Sequence, residues 1–342
     1  MRASALIENA ESVWDMTLPW VEMYWSVEVL KRYRRAGYTY ISLTIQDMPA
    51  SFSGVLTEVA RFKELCAPHS DWLTFARTQN DIIEGQKSGK LVLGLNVQDT
   101  VLVHEDLERL RALKDLGVRH MLLAYQLRNR AADGCAEPDD AGLSLFGRRL
   151  VKKMNEVGMI IDCSHTGRRS SLEAIELSSD PVIFSHSGAK SVCEHIRNID
   201  DDQIRACAGS GGAVGIVGIG AFIGDPQARA ETVFRHIDHV VQLVGPTHVG
   251  IGTDFIDDMD PVWPSIIEAK DGMWRDPSGT QIYEGVSFAP EQLEDLVEIM
   301  LQQNYSDDVV KAILGGNFRR VYDAVGADPN ASSAASNIAR LA

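Results

Sequence analysis

Residues 158–165 read Gly-Met-Ile-Ile-Asp-Cys-Ser-His, "GMIIDCSH". Upstream, Phe146, Leu150, Met154 and Val157 recur every three to four residues, the spacing of an amphipathic helix. Gly158 stands where such a helix ends in a left-handed cap. The apolar run that follows predicts a strand buried on both faces, as a parallel strand under helices must be. It closes on a histidine, His165.

That helix–glycine–strand unit recurs along the chain. Strands are predicted at "SVWDMTL" (12–18), "YTYISLTI" (38–45), "KLVLGLNVQ" (90–98), "HMLLAYQ" (120–126), "GMIIDCSH" (158–165), "PVIFSHS" (181–187), "GAVGIVGI" (212–219) and "HVGIGTDF" (248–255). Leu107, Leu110, Leu113 and Leu116 mark another helix, and Gly37 and Gly117 precede strands as Gly158 does. Eight such units predict an α/β fold, a (β/α)8 TIM barrel, with residues 1–325 as a single domain. The stretch 256–288, rich in Asp, Pro and Trp, reads as a long loop over the barrel mouth, a lid or specificity loop. Residues 326–342 read as a weakly ordered tail or an arm to a neighbouring subunit.

The chain has 342 residues, 45% of them hydrophobic, enough for one large core. Its formal net charge of −15 argues against nucleic acid and against an electrostatic hold on anionic membrane. The N-terminus lacks the long apolar stretch of a signal peptide, and no apolar run approaches the roughly 18 residues of a membrane span. Cys66, Cys135, Cys163, Cys193 and Cys207 are scattered and contain no CxxC pair. They read as reduced thiols of a cytoplasmic protein.

Reactive groups of such a barrel sit at the C-terminal strand ends. Here those ends carry Asp15, Thr17, Gln98, Tyr125, His165, His186 and Asp254. Strand alternation places Asp15 and Thr17 on one face. It places Ser164 and Ser185 opposite the histidines that follow them. Two histidines with carboxylates suit zinc or a similar divalent ion, with a strand-end aspartate as base. Against that stands the reading of His165 and His186 as buried core histidines. "HVGIGTDF" has no GxGxxG continuation into a helix, and neither a Walker loop, a GxSxG elbow nor an HExxH helix is present.

The motifs "GMIIDCSHTG", "PVIFSHSGAKSVCEHIRN", "DDQIRACAGSGGAVGI", "HVGIGTDF" and "ILGGNFRRVYDAV" together resemble the membrane (renal-type) dipeptidases, a branch of the amidohydrolase superfamily. The resemblance spans about residues 90–325. It implies a (β/α)8 barrel whose two-zinc site hydrolyses dipeptides and related amides. It implies His165 and His186 as ligands of one metal and Asp254 as a ligand of the other that also transfers a proton. Arg197, in "HIRN", is implied as the anchor of a substrate carboxylate, a role suited to a bidentate guanidinium. The resemblance also implies a homodimer.

Three positions depart from the family pattern. Its first-strand His-x-Asp pair is Asp15-Met16-Thr17 here, its bridging glutamate is Gln98, and a substrate-contacting histidine is Tyr125. Replacing a bridging carboxylate by an amide leaves two dications unscreened. The expectation is therefore one divalent metal at most, zinc by ligand type, on His165 and His186. The enzyme expected is a metal-dependent hydrolase of an amide or related C–N bond in a small carboxylate-bearing substrate, with water as nucleophile and Asp254 as base. Arg197, Tyr125, Asp15, Thr17 and Gln98 are the expected substrate contacts. Two alternatives remain: a diverged barrel enzyme with other chemistry (ester or lactone hydrolysis, or decarboxylation), metal-free included, and a non-catalytic binding protein. His195 is expected on an exposed loop, and His69, His104, His120, His236, His239 and His248 away from the catalytic face.

Overall fold

The structure, a computed structural model, describes residues 2–20, 26–45, 51–104, 106–267 and 284–326. The strands are β1 (Trp14–Pro19), β2 (Tyr40–Thr44), β3 (Leu73–Phe75), β4 (Leu91–Val97), β5 (Val118–Leu122), β6 (Ile160–Asp162), β7 (Ile183–Ser187), β8 (Ala213–Ile216) and β9 (Val249–Ile251). They run parallel in the order β1-β2-β4-β5-β6-β7-β8-β9, with helices in the connections. At the seam between the first and last strands, the Asp254 amide donates to the Thr17 carbonyl at 3.1 Å. This is the expected eight-stranded parallel barrel, nearly closed.

β3 was not expected. It pairs only with β4 over three residues, too short a run to show a period. The observed strands are also shorter than the apolar runs. Tyr125, His165 and Asp254 therefore lie past the last paired residue of their strands. Part of the 256–288 stretch is a helix, Val262–Ile267, where none was expected. Residues 268–283 of that stretch and 327–342 of the expected tail lie outside the described residues.

Helix Leu145–Val157 buries Phe146, Leu150, Met154 and Val157 against the barrel, as their spacing predicts. It ends at Gly158 with φ 68°, and helix Arg109–Leu116 ends at Gly117 with φ 108°, both left-handed caps. The barrel floor is apolar. Trp14, Tyr40, Val92, Ile160, Ile183 and Ala213 meet Phe318, Val321 and Tyr322 of helix Asn317–Gly326.

The glycines of "HVGIGTDF" have a packing reason: a Cβ on Gly250 would lie 2.6 Å from the Phe318 ring. A Cβ on Gly252 would lie 1.7 Å from the Ser185 carbonyl oxygen, and one on Gly215 of β8 would lie 2.0 Å from it. Both strands thus pass close against β7 beside His186. Gly252→Ala is expected to destabilise the fold by about 1–3 kcal/mol, the range for overpacking. Urea unfolding measures it, and an unchanged midpoint would contradict this packing.

Above the floor the interior turns polar. Ser42, Asn96, His120 and Asp162 are all fully buried. His120, expected away from the catalytic face, instead points into the barrel and contacts Asp162 at 3.0 Å. Burial pushes the Asp162 carboxyl up, but hydrogen bonding and charge from His120, with His186 and Ser185, outweigh it. The net position is about 2, below the ordinary 3.8. A depressed folded-state pKa contributes stability that is fully present above the unfolded value and is lost as pH falls through the folded one. The difference in unfolding free energy between wild type and Asp162→Asn should therefore shrink between pH 4 and pH 2. A pH-independent difference would contradict an ionised Asp162.

Candidate active site

His165 follows β6, His186 lies within β7, Asp254 follows β9, and Arg197 sits in the loop after β7. The fold brings these four together. His165 Nε2 lies 2.9 Å from His186 Nε2. Among the described residues only five non-glycines have positive φ, and three are here: Gln126 (61°), His165 (61°) and Asp254 (55°). Each such conformation costs about 1–3 kcal/mol and persists only where its surroundings hold it. Three fall just past the ends of β5, β6 and β9, on the same rim of the barrel, and mark the site independently of side-chain chemistry.

Gln126 carries no sequence signal beyond its place after Tyr125, yet it orients His165. Its Oε1 accepts from His165 Nδ1 at 2.8 Å and from the Cys135 thiol at 3.0 Å. With that proton on Nδ1, the Nε2 lone pair of His165 faces His186. His186 Nδ1 meets Ser185 Oγ at 2.6 Å and Thr17 Oγ1 at 3.0 Å. Ser185 was expected on the opposite face from His186. A register irregularity between Phe184 and Ser187 breaks the alternation and lets its hydroxyl reach the ring. Burial, then the Arg197 charge, pushes His165 well below its usual range and His186 down to about 3, so both are neutral imidazoles. Tyr125, half-buried, stacks on His165 with centroids 4.2 Å apart.

Asp254 is 8% exposed, and its carboxyl is pushed up to about 7. Burial is the main cause. Arg197 pulls it down and the Asp15 charge raises it further. Arg197 is buried with its Nη2 donating to the His186 carbonyl at 3.1 Å. Its Nε and Nη1 find no hydrogen-bond partner among the described residues. A buried guanidinium with unsatisfied donors is costly unless an anion completes it. A cavity of about 200 Å³ opens beside it, lined by Arg197, His165, Cys135 and Lys190 among others.

The side chains of Asp15 and Thr17 take different partners, and β1 carries a register irregularity between Asp15 and Leu18. Thr17 contacts His186. Asp15 is enclosed by Thr17 N at 3.2 Å, the Tyr33 hydroxyl at 3.0 Å, Thr253 N at 2.9 Å and the Thr253 hydroxyl. It ties β1 and the end of β9 to helix Val27–Arg35. Gln98, half-buried, donates to Thr44 Oγ1 at 3.3 Å. Asn96, on the same side of β4, lies deeper and is fully buried. His195, expected on an exposed loop, is 3% exposed, packed on Phe222 with its Nδ1 accepting from Arg197 N at 3.2 Å.

His165 and His186 present the donor chemistry of a metal site. The two Nε2 atoms converge, and each Nδ1 is engaged by an oxygen, the arrangement that fixes histidine ligands. The two Nε2 atoms lie 2.9 Å apart, close enough for one ion to reach both. Among the described residues, no three His, Cys, Asp or Glu side chains converge closely enough to hold a metal. The described residues thus fit one ion held by two imidazoles and supply no second carboxylate-bridged position.

Residues 22–268 match the sequence model of the membrane dipeptidase family, peptidase family M19. The dipeptidase verJ of Clonostachys rogersoniana is 30% identical over 305 residues, 89% of this chain and 72% of the relative. The dipeptidase tcpJ of Claviceps purpurea (strain 20.1) is 31% identical over 276 residues, 80% of this chain and 60% of the relative. The chain thus spans less than two thirds of that second protein. Among solved structures, an amidohydrolase from Pseudomonas aeruginosa superposes with TM-score 0.85 at 26% identity, covering 95% of this chain and 99% of that one.

Proposed function

The chain belongs to the membrane dipeptidase family, hydrolases of the dipeptidase type, and from that membership we propose that it hydrolyses an amide or related C–N bond in a small carboxylate-bearing substrate. One observation carries this reading. A cavity is lined by a buried guanidinium with unsatisfied donors and by one of two convergent neutral imidazoles, with a carboxyl near pH 7 in the range of the same guanidinium.

In this reading Arg197 Nε and Nη1 hold the substrate carboxylate, giving the guanidinium the partner it lacks within the chain. Ionised Asp254 takes a proton from the attacking water and, once protonated, delivers it to the departing nitrogen, a use that suits a pKa near the working pH. His165 and His186 hold at most one divalent ion, zinc by ligand type, which would supply Lewis acidity toward the scissile carbonyl. Gln126 and Thr17 hold the two rings, while Tyr125 covers one face of His165. Asp15 serves as a joint, and Gln98 lies at the edge of the pocket.

Residues 1–325 form the catalytic domain in this proposal. All five cysteines are free thiols, which supports a reducing, cytoplasmic setting. No described helix is long and apolar enough to cross a membrane. The test is a panel of dipeptides, N-acyl amino acids, esters and lactones, assayed with and without a chelator. Chelator-sensitive cleavage of carboxylate-bearing amides is expected. Activity that survives complete metal removal would favour the metal-free alternative, which the lack of a third converging metal-ligating side chain among the described residues supports. Turnover confined to substrates without a carboxylate would overturn the role of Arg197.

A further inference from the structure

Asp162 and His120 lie below the site and touch neither the cavity nor the two catalytic-end imidazoles, yet both are fully buried in the barrel interior. We infer that they form a positioning pair that sets the separation of His165 and His186, an inference that rests on the reading of those two rings as the reactive centre.

One carboxylate grips two strands. Asp162 Oδ1 accepts from Ser164 N at 3.0 Å and from Ser185 N at 3.1 Å. These are the residues immediately before His165 and His186, one just past β6 and the other within β7. The ladder between β6 and β7 is thin here, with a single registered pair, Asp162 with Ile183. Cys163 N donates to the Ile183 carbonyl at 2.8 Å, and His186 N to Ser164 Oγ at 3.0 Å. Asp162 Oδ1 therefore supplies two of the few lateral ties where the strand ends must be aligned. His165 adds to the demand, since its left-handed backbone needs outside support.

The other carboxylate oxygen fixes Asp162 itself. Oδ2 meets His120 Nδ1 at 3.0 Å, and His120 Nε2 meets Ser42 Oγ at 3.0 Å. Ser42 Oγ accepts from Asn96 Nδ2 at 2.9 Å, and Asn96 Oδ1 accepts from Thr44 Oγ1 at 2.9 Å. A continuous chain of hydrogen bonds thus joins β2, β4, β5, β6 and β7 under the two imidazoles. Reactive constellations tolerate displacements of only about 0.5 Å, so whatever holds these strand ends together governs the geometry above them. Loss of a partner one step removed from a metal or reacting group lowers activity about 10–100-fold.

Two substitutions separate positioning from packing. His120→Asn places an amide N–H near the former Nδ1 and keeps a donor for Asp162. His120→Gln places its amide near the former Nε2, keeping Ser42 and losing Asp162. The expected result is a kcat about 10–100-fold lower in His120→Gln with KM unchanged, and recovery to within a few-fold of wild type in His120→Asn. A readout free of substrate accompanies this, the ring ¹⁵N and Hε1 resonances of His165 and His186 in selectively labelled protein. Those signals shift in His120→Gln and stay near wild type in His120→Asn. If wild type proves inactive on every substrate, the proposed function fails while the resonances still test the pair. Indistinguishable kinetics and resonances for the two variants, with only stability altered, would overturn the inference.

Discussion

Asp254→Asn is expected to lower kcat by about 10²–10⁴-fold, the range for removing a positioned general base. Asparagine has nearly the same volume and tolerates the left-handed backbone that Asp254 adopts at φ 55°, so the fold should persist. What it lacks is the ability to take a proton. Burial, opposed by Arg197 and reinforced by Asp15, holds the Asp254 carboxyl up at about 7. Below that pH the group is protonated and cannot act as a base. The kcat/KM of the wild type should therefore rise with pH through about 7, and that limb should be absent in Asp254→Asn. Steady-state kinetics across pH 5–9 measures both effects. A variant that keeps the wild-type limb would show that another group is the base.

His165→Ala is expected to remove bound divalent metal and activity together. His165 Nε2 is one of two convergent nitrogens, with no third His, Cys, Asp or Glu joining them among the described residues. Losing it should weaken metal binding by more than the about 10–100-fold that follows loss of a mere outer partner. Alanine at φ 61° also carries strain of about 1–2 kcal/mol, so His165→Asn, which tolerates that backbone, provides the control. Dialysis followed by elemental analysis reads the metal, and turnover of the wild-type substrate reads the activity. Activity without metal in either variant would favour the metal-free chemistry.

The barrel was legible because its strands are buried on both faces and read as apolar runs between glycine-capped helices. His165, His186 and Asp254 were legible for the same reason, since a polar residue ending such a run stands out. What stayed hidden depends on backbone irregularities and long-range contacts. Gln126 looks like ordinary loop, and only its left-handed backbone and its 2.8 Å contact with His165 show its role. The roles of Asp15 and Ser185 turned on shifts of register in β1 and β7 that no period-two pattern encodes. His120 and Asp162 lie 42 residues apart, and nothing local announces that they meet. The aspartate that closes "MIID" was the available signal, an ionisable group inside a run otherwise built for burial.

The departures at Asp15 and Thr17 now have a physical meaning. Asp15 has become a joint between β1 and β9, its carboxylate already saturated by donors from its own chain. Thr17 has become a hydroxyl partner of the His186 ring.

The reactive centre proposed here is built on two imidazoles with room for one ion. The direct measurement is metal content per chain after growth in metal-replete medium and exhaustive dialysis, with anomalous diffraction to place the ion. The expected result is one equivalent at most, lying against both His165 Nε2 and His186 Nε2. Two tightly bound equivalents, or an ion held elsewhere while those nitrogens remain in contact, would contradict it.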